Sequence, residues 1–189
     1  MVGRLACHVV LLAMAACGAG TPRSAVVPHS PLLDRDGATL DARVLAGRAP
    51  WTAFVFFAAH CHCLDAHDLR LRALAQTYAA RGVRFVMIDS EAGATVNADA
   101  AEARRRGYPF PIVVDPGAAL ADALGADYAT YTVVTDAAGH VRYRGGIDSD
   151  KIRLHDDASF FLRDALDDLL SGRPLRVPEG KALGCAISK

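Results

Sequence analysis

An α/β fold with a mixed central sheet and helices on both faces is predicted by three features of the 189-residue chain. Short apolar runs of strand length alternate with amphipathic stretches, as crossover-connected parallel strands require. A hairpin signal follows that alternation, and a last amphipathic helix closes the chain. The length fits one domain. Composition agrees, since 52% hydrophobic and 22% charged residues suit a packed core rather than a disordered chain. Lys plus Arg and Asp plus Glu both number 21, so the formal charge is zero. A phosphate-tracking basic surface is thereby excluded, and nucleic acid with it.

Along the chain, residues 1–16 have the layout of an export signal. Arg4 precedes an apolar run from Leu5 to Ala16, which is too short to span a bilayer. Met14-Ala15-Ala16-Cys17 resembles a bacterial lipobox, which makes Cys17 the acylated first residue of the mature protein. Residues 17–31 are small, polar and Pro-rich and read as a flexible tether, leaving 32–189 as the folded domain. In that domain Asp36-Gly37 marks a hairpin turn within Leu32 to Leu40. Thr52 to Phe57 is a strand for the sheet centre, and the spacing of Leu64, Leu71, Leu74 and Tyr78 predicts a helix stopped by Gly82. Val83 to Asp89 is a strand, Ala98 to Arg106 a polar helix, Ile112 to Asp115 a strand and Ala118 to Leu124 a short helix. Tyr131 to Asp136 and Val141 to Arg144 form an antiparallel hairpin. A helix over Asp157 to Leu170 buries Phe161, Leu162, Ala165, Leu166 and Leu169.

The chemistry concentrates in His60-Cys61-His62-Cys63, with His67 one turn on, where the apolar strand gives way to the first helix. Amide N–H groups and the helix dipole at such a terminus favour thiolate over thiol. A second thiol nearby lets a mixed disulfide resolve. The competing reading is a pair of packed cysteines among solvated histidines. A disulfide within Cys-x-Cys closes a small, strained ring and is easily reduced.

These residues resemble the peroxiredoxin-like, redoxin branch of the thioredoxin-like superfamily. The resemblance rests on His60-Cys61, Tyr108-Pro109-Phe110-Pro111 with Asp115, Tyr143-Arg144-Gly145-Gly146-Ile147-Asp148 and Gly184-Cys185-Ala186-Ile187, in that order. It implies a thioredoxin-like three-layer α/β/α fold with Cys61 as the attacking thiol. The departures matter as much. His62 stands where the family has Pro, and Ala129-Thr130 stands where it has Thr followed by a cis-proline, so Thr130 is not expected to be cis. Ala58 replaces the Thr that peroxiredoxins place before their cysteine, and no Arg neighbours Thr130. Peroxide activation needs donors at the leaving oxygen, and none can be named, so thiol–disulfide exchange is the stronger expectation.

His60 and His62 are assigned to tuning the thiols. Cys61, Cys63, His62 and His67 would be the ligands if the chain held copper, but their spacing matches no standard metal site. No cofactor beyond redox-active cysteines is therefore expected. Cys185 is a candidate third thiol, resolving or structural. Asp148 and Asp150 read as caps or solvated charges. The expected protein is an exported thiol–disulfide oxidoreductase of the bacterial cell envelope, probed by a disulfide or thiol substrate and a separate electron donor. A thiol peroxidase and a copper-binding protein are its alternatives.

If Cys17 carries the anchor, the protein made in a bacterial host with this export route will sediment with membranes, because dual acylation is enough for stable attachment. Cys17→Ala will move it to the soluble fraction. A wild-type protein recovered soluble, with its mature N-terminus elsewhere, defeats the assignment.

Overall fold

The computed structural model describes residues 23–189; the segment read as an export signal and Cys17 lie outside them. Among the described residues the strands are β1 (Pro31–Leu33), β2 (Thr39–Asp41), β3 (Trp51–Phe57), β4 (Val83–Asp89), β5 (Ile112–Val114), β6 (Thr132–Asp136) and β7 (Val141–Gly145). The helices are α1 (Ala42–Ala46), α2 (His62–Ala79), α3 (Val96–Arg106), α4 (Ala119–Leu124) and α5 (Phe161–Leu170). One mixed sheet runs in the order β2-β1-β5-β4-β3-β6-β7. β3 pairs with β4 in parallel and with β6 antiparallel; β4 pairs with β5 in parallel. Parallel neighbours need long crossovers, and α2 and α3 supply them.

β3 organises the core because its two faces are both apolar. Ala53, Val55 and Phe57 look towards Leu64, Leu71 and Tyr78 of α2 and Leu162 and Leu166 of α5. Phe54 and Phe56 look the other way, towards Leu45 of α1 and Leu120 and Leu124 of α4. Alternation in a strand produces this split. Each such fully buried side chain contributes about 1.5–3 kcal/mol. The sequence therefore predicts the class, the layers and nearly all strands correctly.

Two expectations need correction, and one element was not foreseen. The segment read as a tether is docked from residue 23 onward: Val27 is buried, its N–H bonds the Gly139 carbonyl (2.9 Å), and Val141 N–H bonds the Ala25 carbonyl (2.9 Å). Two valines among small polar residues were enough to pair beside the β6–β7 hairpin. Helix α1 is unforeseen because five residues show no period; Asp41 creates it by accepting the Val44 N–H at 2.9 Å. Helix α5 begins at Phe161 rather than Asp157. Residues before it are held as a loop, with Ser149 N–H bonding the Ser159 carbonyl (3.0 Å) and Leu162 N–H the Ile147 carbonyl (3.0 Å). Among the described residues no helix is long and apolar enough to cross a membrane.

Candidate active site

β3 ends at Phe57, and after three intervening residues Cys61 opens the next helix. Cys61 is the N-cap of α2, with extended backbone (φ −85°, ψ 107°) and no side-chain cap bond. Its N–H bonds the Ala58 carbonyl (3.2 Å), and its own carbonyl accepts the Asp65 N–H (3.0 Å). The intervening turn is gripped on both sides. Glu91, just beyond β4, accepts the Ala59 N–H at 3.0 Å. Arg106, the last residue of α3, donates to the Ala59 carbonyl at 3.1 Å. The Arg106 side chain is fully buried and also reaches Asp65 (2.6 Å), Glu102 (2.7 Å) and Asp68 (3.0 Å). Tyr108 donates to Asp68 as well. None of Glu91, Arg106 and Asp68 was foreseen. An arginine at a helix end before Gly107 reads in sequence as a complement to the helix dipole, and nothing local says that it turns inward.

The structure brings together all three candidate thiols. The sulfurs of Cys61, Cys63 and Cys185 lie within 4.8 Å of one another. Cys61 and Cys63 are buried, at 0% and 4% exposure, and Cys185 is half-buried. The Cys185 N–H points at the Cys61 sulfur, 3.4 Å away. Cys185 arrives on an extended C-terminal segment, whose Cys185 carbonyl accepts the Ala129 N–H at 2.9 Å. Gly184 must be glycine there, since a Cβ would overlap the Ala129 carbonyl and crowd the Thr130 hydroxyl.

Burial reverses one expectation. Desolvation pushes the Cys61 thiol up, and the neighbouring Cys185 adds to this; the Cys185 and Leu64 backbone N–H groups pull the other way and lose. Cys63 is likewise raised, by burial and then by a charge on Cys61. Both thiols are therefore protonated at rest, contrary to the thiolate expected at a helix terminus.

The histidines separate. His60 and His62 are exposed; His62 faces Asp65 (3.6 Å), and neither imidazole hydrogen-bonds a described thiol. His67 is buried, and both ring nitrogens are taken: Nδ1 by the Cys63 carbonyl (2.6 Å), Nε2 by Asp148 (3.0 Å). Both partners accept only, so the ring carries both protons. Burial opposes that charge, but Asp148 and the carbonyl outweigh it and the His67 pKa is raised. His67 thus leaves the list of candidate metal ligands. Asp148 caps its loop through the Asp150 N–H (2.9 Å), as read from sequence, but it is buried, not solvated, and pairs with Arg70 at 2.5 Å. Thr130 takes φ +73°, a left-handed conformation costly for a β-branched residue, and no described peptide is cis. Its hydroxyl lies beside Gly184.

Residues 18–157 match the Redoxin family model. The chain belongs to the Redoxin family. Its fold matches an uncharacterized conserved protein of Geobacillus kaustophilus at 26% identity, covering 89% of this chain and 92% of that one, with a TM-score of 0.78. Peroxidoxin BcpB of Mycobacterium tuberculosis is 21% identical over 78% of this chain and 96% of its own, with a TM-score of 0.59. A putative protein disulfide isomerase of Bacteroides thetaiotaomicron is 17% identical over 80% and 87%, at 0.54. These likenesses establish a thioredoxin-like fold for the redoxin. No curated protein matches the chain. The family match ends at residue 157, so Cys185 lies outside the matched stretch.

Which groups would take a metal is also revised. Three converging sulfurs suit a soft closed-shell ion; His62 and His67 do not join them.

Asp89 and Asp99 form a buried acid pair. Asp99 is 3% exposed and one of its oxygens has no partner. Burial first, then the charge of Asp89, pushes it up to about 8, with Glu91 and Glu102 adding to the effect. The folded chain therefore keeps a proton that an unfolded Asp has lost above its ordinary pKa near 4. Stability must fall as pH rises through the window from about 4 to about 8. Asp99→Asn, which stays neutral, is expected to flatten that slope between pH 5 and pH 8 in urea unfolding. An unchanged slope would show that Asp99 ionises freely in the native state.

Proposed function

We propose that this redoxin is a thiol–disulfide oxidoreductase, anchored by an acylated Cys17 on the periplasmic side of the bacterial cell envelope. The observation that carries this reading is the meeting of three sulfurs at the N-terminus of α2. The Cys61 thiol gives up its proton as a substrate disulfide approaches. The thiolate attacks one substrate sulfur, a Cys61–substrate bond forms, and the other sulfur leaves and takes up a proton. Cys63 or Cys185 then attacks the Cys61 sulfur, releasing the second substrate thiol and leaving an intramolecular disulfide. The substrate gains two electrons, and an external dithiol donor restores the chain.

The Leu64 N–H, joined by the Cys185 N–H whenever the C-terminal segment is in place, supports the Cys61 anion as it forms. Against a peroxidase role, Arg106, the arginine at the junction among the described residues, is committed to Asp65, Asp68, Glu102 and the Ala59 carbonyl rather than to a peroxide oxygen. The same three sulfurs favour a second reading, a site for monovalent copper, with Cys185 in place of the histidines.

Turnover of a small aromatic disulfide by metal-free protein tests the first reading. Cys61→Ser is expected to fall to the uncatalysed rate, whereas Cys63→Ser keeps the first attack and leaves a mixed disulfide on Cys61 wherever Cys185 does not resolve it. Full turnover by Cys61→Ser would move the nucleophile elsewhere. An inactive metal-free protein that holds one copper ion against a competing chelator would favour the second reading.

A further inference from the structure

The C-terminal segment meets the redoxin body in an unusual way for a tail. Its hydrogen bonds to residues 127–129 run from backbone to backbone. Ala129 N–H bonds the Cys185 carbonyl, Ile187 N–H bonds the Asp127 carbonyl, both at 2.9 Å, and Tyr128 and Ala186 form an antiparallel bridge. This is β-strand addition. The contacts do not depend on which polypeptide supplies the added strand. Only three side chains give the segment an identity: Cys185 at the sulfurs, Ile187 in the core and Lys189 between Asp122 (2.9 Å) and Asp127 (3.0 Å).

The position of the strand is equally telling. It lays a cysteine against Cys61 and Cys63, and with it in place Cys61 has no exposed surface. A disulfide carried on a folded protein cannot reach a fully buried sulfur. The strand must leave before a protein substrate reacts.

We propose that the groove between the N-terminus of α2 and residues 127–130 is the binding site for an extended, cysteine-bearing segment of a partner protein, and that residues 184–187 occupy it as an internal stand-in. The choice of substrate deepens the function proposed above and rests on it for its chemistry. The stand-in also specifies what the groove accepts. The residue before the cysteine must be glycine, because a side chain there collides with the Ala129 carbonyl. An aliphatic residue two positions after the cysteine fills the place of Ile187, and a cation two further on meets Asp122 and Asp127. A tethered strand competes at an effective concentration in the millimolar range. It therefore holds the site closed against weak outside segments and lowers their affinity by the fraction of time the groove is open. When it returns, Cys185 comes back to the Cys61 sulfur as the substrate segment is expelled.

The test uses full-length chains and a fluorescent nonapeptide with the sequence of residues 181–189, serine replacing the cysteine, so that no redox step is involved. Gly184→Val ejects the internal strand. Its binding of the peptide, read by anisotropy, is expected to be at least ~10-fold tighter than that of the wild type, where the tether competes. A peptide with valine in place of its glycine should bind neither protein. Alkylation of Cys61 should be faster in Gly184→Val. Lys189→Glu, which loosens the strand end without touching the groove, is expected to give an intermediate shift and decides the matter if Gly184→Val does not fold. Equal binding by wild type and both variants, or equal binding of the glycine and valine peptides, overturns the proposal. Peptide binding without disulfide turnover would instead sink the oxidoreductase reading and leave the groove standing.

Discussion

The site depends on one buried guanidinium. β3 must hand over to α2 in three residues, and the turn that does this exposes an amide N–H and a carbonyl at Ala59 on opposite sides. Arg106 takes the carbonyl and is itself neutralised by Asp65, Asp68 and Glu102. Glu91 takes the N–H. Asp65 and Asp68 belong to the first turns of α2, Glu102 and Arg106 to α3, and Glu91 to the end of β4. A single cation thus fixes the position of the helix start relative to two other elements. Such a cluster adds little net stability over apolar packing, but losing the cation would leave three carboxylates facing one another at a cost of about 3–5 kcal/mol. What it supplies is placement, and Cys61 is the residue placed.

Placement alone does not make a nucleophile. A helix terminus stabilises an anion by about 0.3–1 kcal/mol, up to ~2 in partly buried geometry, whereas burying a charge costs several kcal/mol. Burial wins at Cys61 while the C-terminal strand lies over it, which is why the thiol is raised rather than lowered. The balance is conditional on that strand. The same helix terminus would favour the thiolate once water or a polar substrate reached the sulfur, so covering and reactivity are controlled by one segment. A thiol that is protonated when covered is also protected from stray oxidation, since the thiolate is the oxidisable form.

Much of this was legible in the sequence. The run Thr52 to Phe57 announced a strand buried on both faces because no polar residue interrupts it after Thr52. The spacing in α2 was readable over four turns, although its first turn was not: His62 and Cys63 carry no apolar period, and Cys61 caps without a side-chain bond. The three thiols were singled out in the sequence and the structure brings their sulfurs together, but their burial was not legible, because Cys185, which lies against Cys61, is more than a hundred residues away. His67 and Arg106 escaped for the same reason. Each looks like a surface charge within its own helix and is buried only by partners at long range, Asp148 for one and the Ala59 turn for the other. The docking of Val26 and Val27 beside β7 is long-range in the same sense.

The His67–Asp148 pair completes the account of how the site is held. α2 is fixed at its start by Arg106, but Cys63 sits one residue into the helix, and its carbonyl would be free to tilt. The buried imidazolium clamps that carbonyl at 2.6 Å and carries the restraint to Asp148, on the loop that follows β7. Arg70, one turn further along α2, reaches both Asp148 and Asp150, and Asp150 accepts from His155 at 2.8 Å. Burial raises the cost of charge at Asp148, yet His67 and Arg70 hold it below the usual carboxylate range. Both members of the pair are thus charged because of the other, and neither has a neutral form that satisfies its neighbours. An apolar pair of the same volume would fill the space without directing the Cys63 carbonyl. Here the ions set an orientation, and the second thiol inherits it.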